Sequence, residues 1–151
     1  MTVTELIAGH EGYSRTVYLC TAKKRTIGYG YNLDANPLKL SPAEINNLVK
    51  LGTTKEAAHN LLTDSIEQLT KQLSAKLPWW SKLNAARQAV LLDMAFNLGV
   101  DGLMKFKKTL SLIERGDYAS ASKEMLNSVW AAQVKRRAAD LSLIMQTGKI
   151  N

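Results

Sequence analysis

The segment HEGYSRTVYLCTAKKRTIGYGYN, residues 10–32, governs how the rest of the chain is read. Within it Val17, Leu19, Ile27, Tyr29 and Tyr31 alternate with more polar residues, the period of two that belongs to half-buried strands. The basic run Ala22-Lys23-Lys24-Arg25 interrupts that alternation as a turn. The pattern predicts a small antiparallel sheet. The same stretch holds one acid, Glu11, and the only cysteine of the chain, Cys20.

Outward from this segment the period changes to that of helices, and capping signals mark the changes. Thr2-x-x-Glu5, Ser41-Pro42-x-Glu44 and Thr53-x-x-Glu56 fit the capping box, in which a hydroxyl and a carboxylate satisfy opposite orphan backbone donors. Each predicts the start of a helix. From Lys55 to about Ala75, Ala58, Leu61, Leu62, Ile66, Leu69 and Leu73 recur at helical spacing, which predicts a long helix able to connect two lobes. Pro78 and the pair Trp79-Trp80 stop it. Asn84 then caps the apolar run 89–96, a candidate core helix that Gly99 is expected to end. Further helices are expected from about Leu103 to Glu114, from Tyr118 to Ser128 and from Lys135 to Met145, with Gly116 and Gly148 stopping the first and last.

The resulting expectation is one domain, 1–151, of α+β class and mostly helical. It comprises a small N-terminal lobe with an antiparallel β-sheet at about 12–55, a connecting helix at about 55–76, and an all-helical C-terminal lobe at 76–151 that the first helix, 1–11, joins. The opening segment is expected to face a cleft between the lobes.

A chain of 151 residues, 46% hydrophobic, is long enough to bury a core. Its formal charge of +7 implies an anionic partner: nucleic acid, a membrane surface or an acidic polymer such as a bacterial cell wall. A single cysteine excludes an internal disulfide. His10 and His59 stand alone and Cys20 has no cysteine at ligand spacing, so no metal site is expected. No G-x-x-x-x-G-K-[ST] loop occurs, and no cofactor is called for. The N-terminal residues carry neither a basic leader nor a sustained apolar stretch, so neither a signal peptide nor a membrane span is expected.

Glycoside hydrolysis needs an acid to protonate the leaving oxygen and, usually, a second group to activate water or attack the sugar carbon. Glu11 is the candidate acid, placed at the end of the first helix beside Gly12, where a rigid element can hold a side chain over a groove. Here the chain resembles the phage-type lysozymes, or endolysins, of glycoside hydrolase family twenty-four. The family pattern is Glu, eight residues, Asp, five residues, Thr, then Ile-Gly-x-Gly. This chain has Glu11, Cys20 and Thr26 at the same spacing, followed by Ile27-Gly28-Tyr29-Gly30. The likeness continues through residues 84–99, Phe106, Thr109-Leu110, Trp130, Gln133, Arg136-Arg137-Ala138 and Thr147-Gly148, covering nearly the whole chain.

The resemblance implies hydrolysis of the β-1,4 bond between N-acetylmuramic acid and N-acetylglucosamine in peptidoglycan, with bacterial cell lysis as the result. It implies Glu11 as general acid, Thr26 as the residue that helps position water, and Arg137 as a supporting arginine that orients the acid. Phe96 and Thr109 match positions that line the family's saccharide cleft. Trp79, Trp80 and Trp130 are read as packing. The family's habits further imply a monomer, made in the host cytoplasm and released to the wall or periplasm with the help of a holin.

Two departures matter. Cys20 replaces the aspartate, and a thiol is a poor base unless ionised, with an ordinary pKa near ~8.5. Lys23, Lys24 and Arg25 favour the thiolate and Glu11 opposes it. Three roles stay open: nucleophile with retention, water-assisting base with inversion, or bystander beside Glu11 and Thr26. Tyr31 stands where the family commonly carries histidine, which removes an ion pair. Gly28 and Gly30 either let the sheet backbone approach a sugar or mark a bulge.

Three other functions fit parts of the sequence. A lytic transglycosylase runs on one glutamate and yields 1,6-anhydro sugars. A silent peptidoglycan-binding protein would keep the fold and release nothing. A nucleic-acid binder is suggested by Lys135-Arg136-Arg137 and the charge, yet no nucleic-acid motif supports it, and no nucleic-acid partner is expected.

Overall fold

The computed structural model describes residues 1–150. In chain order its elements are α1 (Val3–Glu11), β1 (Ser14–Leu19), β2 (Arg25–Gly28), β3 (Tyr31–Asn32), α2 (Pro42–Leu51), α3 (Lys55–Lys76), a 3-10 turn at Trp80–Lys82, α4 (Ala85–Met104), α5 (Lys107–Glu114), α6 (Tyr118–Leu126), α7 (Val129–Val134) and α8 (Arg136–Thr147). The molecule is mostly helical with one three-stranded antiparallel sheet, ordered β1-β2-β3. This is the lysozyme-like α+β class read from the sequence. Two compact units are present: Thr4–Gln68, and Met1–Val3 together with the chain from Leu69 onward.

In the first of these, the β unit, the sheet alternation holds where it matters. Ile27, Tyr31 and Leu33 form the core of this unit, with Val17, Leu48 and Leu61 packed against it. Leu19 departs from the expected pattern and is 65% exposed, because it pairs with Arg25 at the hairpin tip, beyond that cluster. The capping box at Ser41 is present in both directions, Glu44 N–H to Ser41 Oγ and Ser41 N–H to Glu44 Oε1, each 3.1 Å. The box expected at Thr53 gives way to a simple cap one residue later, since Ala57 has no polar side chain to complete a box. Thr54 Oγ1 accepts from Ala57 N–H at 3.1 Å, while Thr53 is buried and its hydroxyl donates to the Thr54 carbonyl.

Tyr31 is held by neutral hydrogen bonds. Its hydroxyl donates to Asn36 Oδ1 at 2.8 Å and accepts from Leu38 N–H at 3.1 Å. Asn36, in the left-handed region at φ 44, also bonds Leu40 through both ends of its amide. One tyrosine and one asparagine thus satisfy the polar backbone of the loop that leads into α2.

The second unit, the helical one, is built around α4, whose residues 89–95 are all buried. Val90, Leu91 and Met94 have no exposed surface. Packing of α4 and α6 on α8, and of α5 on α6, closes this core around Leu103, Ile113, Met125, Leu141 and Met145. Trp79, Trp80 and Trp130 are buried, as expected for packing residues.

Three helix boundaries differ from expectation. Gly99 leaves helical geometry at φ 78, ψ 160, yet the chain re-enters the helix and continues to Met104; glycine there allows a kink instead of a stop. The helix expected from Leu103 is therefore divided, its first residues completing α4 and the remainder forming α5. Beyond α6 a short helix, α7, was not expected. Ser128 caps it by accepting from Ala131 N–H, and Trp130 and Ala131 anchor it; six residues are too few to display a period.

Candidate active site

Glu11 is the last residue of α1, and the next residue explains its placement. Gly12 adopts φ 72 and returns its N–H to the Ala8 carbonyl at 2.9 Å, a left-handed stop that ends the helix and turns the chain into β1. The carboxylate then lies on the turn between β2 and β3. A Cβ built on Gly30 would sit 2.5 Å from Glu11 Oε1 and 2.7 Å from its Cδ, at φ +77. Gly30 is thus required twice, for its backbone angle and for the space the carboxylate occupies. Gly28 serves another contact, since its Cβ would meet Ala58 of α3 at 2.9 Å. Both glycines mark close approach within the protein.

The β1–β2 ladder places the other two residues of the motif. Tyr18 pairs with Thr26 and Leu19 with Arg25. The ladder continues one step further, because Cys20 N–H donates to the Lys24 carbonyl at 3.0 Å and Lys23 N–H to the Cys20 carbonyl at 2.8 Å. Residues 21–23 form a three-residue hairpin loop with Lys23 left-handed at φ 60, a common closure for a hairpin of this register. Side chains two apart share a face, so Tyr18, Cys20 and Thr26 stand on one side of the hairpin and Ile27 on the other, in the core. A clamp holds the strand start. Arg25 N–H and Nε donate to the two Asp34 oxygens at 2.7 and 2.8 Å, and these bonds hold the Asp34 carboxyl below its ordinary 3.8.

Cys20 is a half-buried free thiol, and its pKa is lowered. The largest cause is hydrogen bonding from the Lys24 backbone, which outweighs the opposing effect of burial; smaller contributions come from the Ala22 backbone and the Thr26 hydroxyl. Main-chain donors at the hairpin loop, more than the charges of Lys23, Lys24 and Arg25, favour the thiolate. Thr26 is 4% exposed and its hydroxyl donates to the Lys24 carbonyl at 2.9 Å. It has one proton, shared between that carbonyl and the sulfur, and its lone pairs remain able to accept from water.

Tyr18 belongs to this group although the motif does not contain it. Burial, and then the charges of Glu11 and Cys20, raise its phenol pKa above the ordinary 10.0, which places it near both groups. The signal in the sequence was its position two residues before Cys20 on a strand.

The remaining candidates lie in the helical unit. Phe96 is half-buried on α4 and Thr109 is 4% exposed in α5. Arg137 of α8 donates through Nε to Asp93 Oδ1 at 2.8 Å, with Arg137 11% and Asp93 0% exposed at their side chains. An aspartate inside Ala89-Val-Leu-Leu-Asp-Met-Ala-Phe96 was the available signal for this pair, since a buried carboxylate demands a cation. Trp130 Nε1 donates to Asn97 Oδ1 at 2.8 Å, and its ring packs edge-on against Phe106 with centroids 6.0 Å apart. Among the described residues no group of three or more His, Cys, Asp and Glu is arranged to hold a metal ion, and no helix is long and apolar enough to cross a membrane.

With this geometry established, comparison with known proteins is informative. The model of the family described as phage lysozyme matches residues 8–140, a span that contains every candidate residue above. The chain is 29% identical to the pre-baseplate central spike protein Gp5 of Enterobacteria phage T4, over 99% of its own length and 28% of that protein. It therefore spans little more than a quarter of the spike protein. It is 28% and 27% identical to two probable T4-type lysozymes of Dictyostelium discoideum, over 99% of this chain and 96% of each of them.

Proposed function

The chain belongs to the phage lysozyme family and is an enzyme of lysozyme type, a glycoside hydrolase, and on that premise we propose that it cuts the β-1,4 bond between N-acetylmuramic acid and N-acetylglucosamine in peptidoglycan, lysing bacterial cells. The observation that carries this reading is the seating of the Glu11 carboxylate on Gly30 in the same unit as the Cys20–Thr26 pair. An acid so held has a fixed position for protonating a leaving oxygen.

In the proposed reaction Glu11 donates its proton to the glycosidic oxygen as the bond from that oxygen to the anomeric carbon breaks. A water positioned by Thr26 forms the new bond to carbon, and its proton passes to the Cys20 thiolate. The support for Cys20 as base is its lowered pKa and its place beside Thr26 on the hairpin. Attack by water from the opposite face gives inversion. Phe96 and Thr109 are assigned to saccharide binding and Arg137 to support, all three on the family resemblance. Peptidoglycan is the partner, and a monomer released from the host cytoplasm with a holin is the setting the family suggests. The net charge of +7 suits an anionic wall.

The test is mass spectrometry of the fragments released from purified peptidoglycan in water enriched in heavy oxygen. One heavy oxygen at reducing-end muramic acid, abolished in Glu11→Gln, is the expected result. Unlabelled 1,6-anhydro products would instead establish transglycosylation, and binding to walls without release would establish a silent binder.

A further inference from the structure

The β1 ladder is irregular where it need not be. Ser14 pairs with Gly28, whereas Tyr18 pairs with Thr26, so the register slips between these two points. Such irregularities re-aim side chains and occur often beside active sites. The slip is of two residues, so it brings Tyr18 instead of Thr16 directly across from Thr26, on the face that also carries Cys20, where cross-strand neighbours have Cβ atoms about 5 Å apart. Tyr18 is 37% exposed and Thr26 only 4%, so the tyrosine is the outer member of the pair.

Hydroxyl and ring together separate Tyr18 from the other tyrosines of this unit: Tyr29 also makes no hydroxyl hydrogen bond among the described residues, but its ring packs on Tyr13 with centroids 5.5 Å apart. Tyr13 donates to the Thr53 carbonyl at 3.0 Å and Tyr31 to Asn36; both are committed to the fold. Tyr18 makes no hydrogen bond within the protein among the described residues. A half-exposed aromatic ring with a free donor, standing beside the proposed acid and base, is suited to a sugar, whose apolar face packs on the ring while its hydroxyl or N-acetyl oxygen accepts from the phenol.

We propose that Tyr18 is a further saccharide-contacting residue of this site, touching the N-acetylated sugar bound over Glu11, Cys20 and Thr26. The proposal rests on the hydrolase reading above and deepens it. Burial first, and then the proximity of Glu11 and Cys20, hold the phenol pKa above its ordinary 10.0, so it remains a donor at neutral pH.

Two measurements on the full chain test it, with Tyr18→Phe and Tyr18→Ala. The first is steady-state turnover of soluble peptidoglycan fragments. Contact made equally in ground and transition states raises KM and leaves kcat nearly unchanged, by about fivefold for loss of the hydroxyl alone and about thirtyfold for loss of ring and hydroxyl. The second is calorimetric binding of the same fragments to Glu11→Gln with and without each Tyr18 change, which does not require turnover; Kd should weaken by the same factors. Unchanged KM and Kd in Tyr18→Phe and Tyr18→Ala, or a fall in thermal stability with no change in either constant, overturns the proposal. Should Tyr18→Ala fail to fold, the Phe variant decides. An inactive wild type that still binds fragments through Tyr18 would refute the hydrolase reading while sustaining the contact, and absence of binding in every form would refute the contact itself.

Discussion

Replacing Gly30 with alanine separates the placement of Glu11 from the stability of the fold. The new Cβ would lie 2.5 Å from Glu11 Oε1 and 2.7 Å from Cδ, against an ordinary contact of about 3.4 Å or more. The carboxylate must therefore retreat by roughly 0.7–0.9 Å, taking the difference from that ordinary contact. The obstacle is the far end of a flexible side chain, so the clash is relieved by rotation at little energetic cost. What remains is the backbone angle of φ +77, a strain of roughly 1–2 kcal/mol for alanine, partly offset by about 0.4–1 kcal/mol from the reduced entropy of the unfolded chain. The net loss of stability is about 1 kcal/mol, or a few degrees in Tm for a chain of this size. Displacing the acid by nearly 1 Å is costly to catalysis, about a hundredfold in kcat/KM. Gly116→Ala is the control: it has φ +78 and nothing within 4 Å of its Cβ position, so it imposes the same strain without touching the site. Urea unfolding and turnover of soluble peptidoglycan fragments, measured on both variants, should give similar stability losses and activities about two orders of magnitude apart. Equal activities would refute the reasoning, and with it the role given to the Gly30 contact.

Other consequences follow from particular pairs. Asp93→Ala removes the buried carboxylate to which Arg137 Nε donates and should cost about 3–5 kcal/mol in urea unfolding, with Asp93→Asn, which keeps an acceptor, losing less; equal losses would show that a neutral acceptor contributes nothing there. Asp34 has its pKa lowered by Arg25 in the folded state, so its contribution is present above the unfolded value and lost as pH falls through the folded one. The Tm difference between wild type and Asp34→Asn should close as pH falls below the ordinary 3.8 toward the lower folded value, and a constant gap would refute the clamp. For Cys20, ionisation in the folded state below the value of a free cysteine means that alkylation by iodoacetamide should reach half its maximal rate at a lower pH than for an unfolded cysteine peptide. The same shift adds stability as pH rises through the folded value toward the unfolded one. A midpoint at or above that of the peptide would remove the support for a base at this position.

Local order was legible because its causes are local. The capping box of Ser41 and Glu44, the cap at Asn84, the left-handed stop at Gly148 and the alternation that buries Ile27 and Tyr31 all act over a few residues, and hydrophobic period with turn chemistry encodes them directly. The spacing of Glu11, Cys20 and Thr26 likewise carries the family pattern within a few residues. Where local signals were balanced, the sequence was silent. Thr53 and Thr54 offer the same hydroxyl, and only packing, which buries Thr53, selects Thr54 as the cap. Gly99 permits a stop or a kink, and the chain takes the kink because the helix resumes into a buried Leu103. The register slip that brings Tyr18 across from Thr26, the seat of the Glu11 carboxylate on Gly30, and the pairing of Asp93 with Arg137 over 44 residues are decided by tertiary structure alone. Each joins groups that no period relates, and the proximity that gives them their chemistry exists only once the chain has folded.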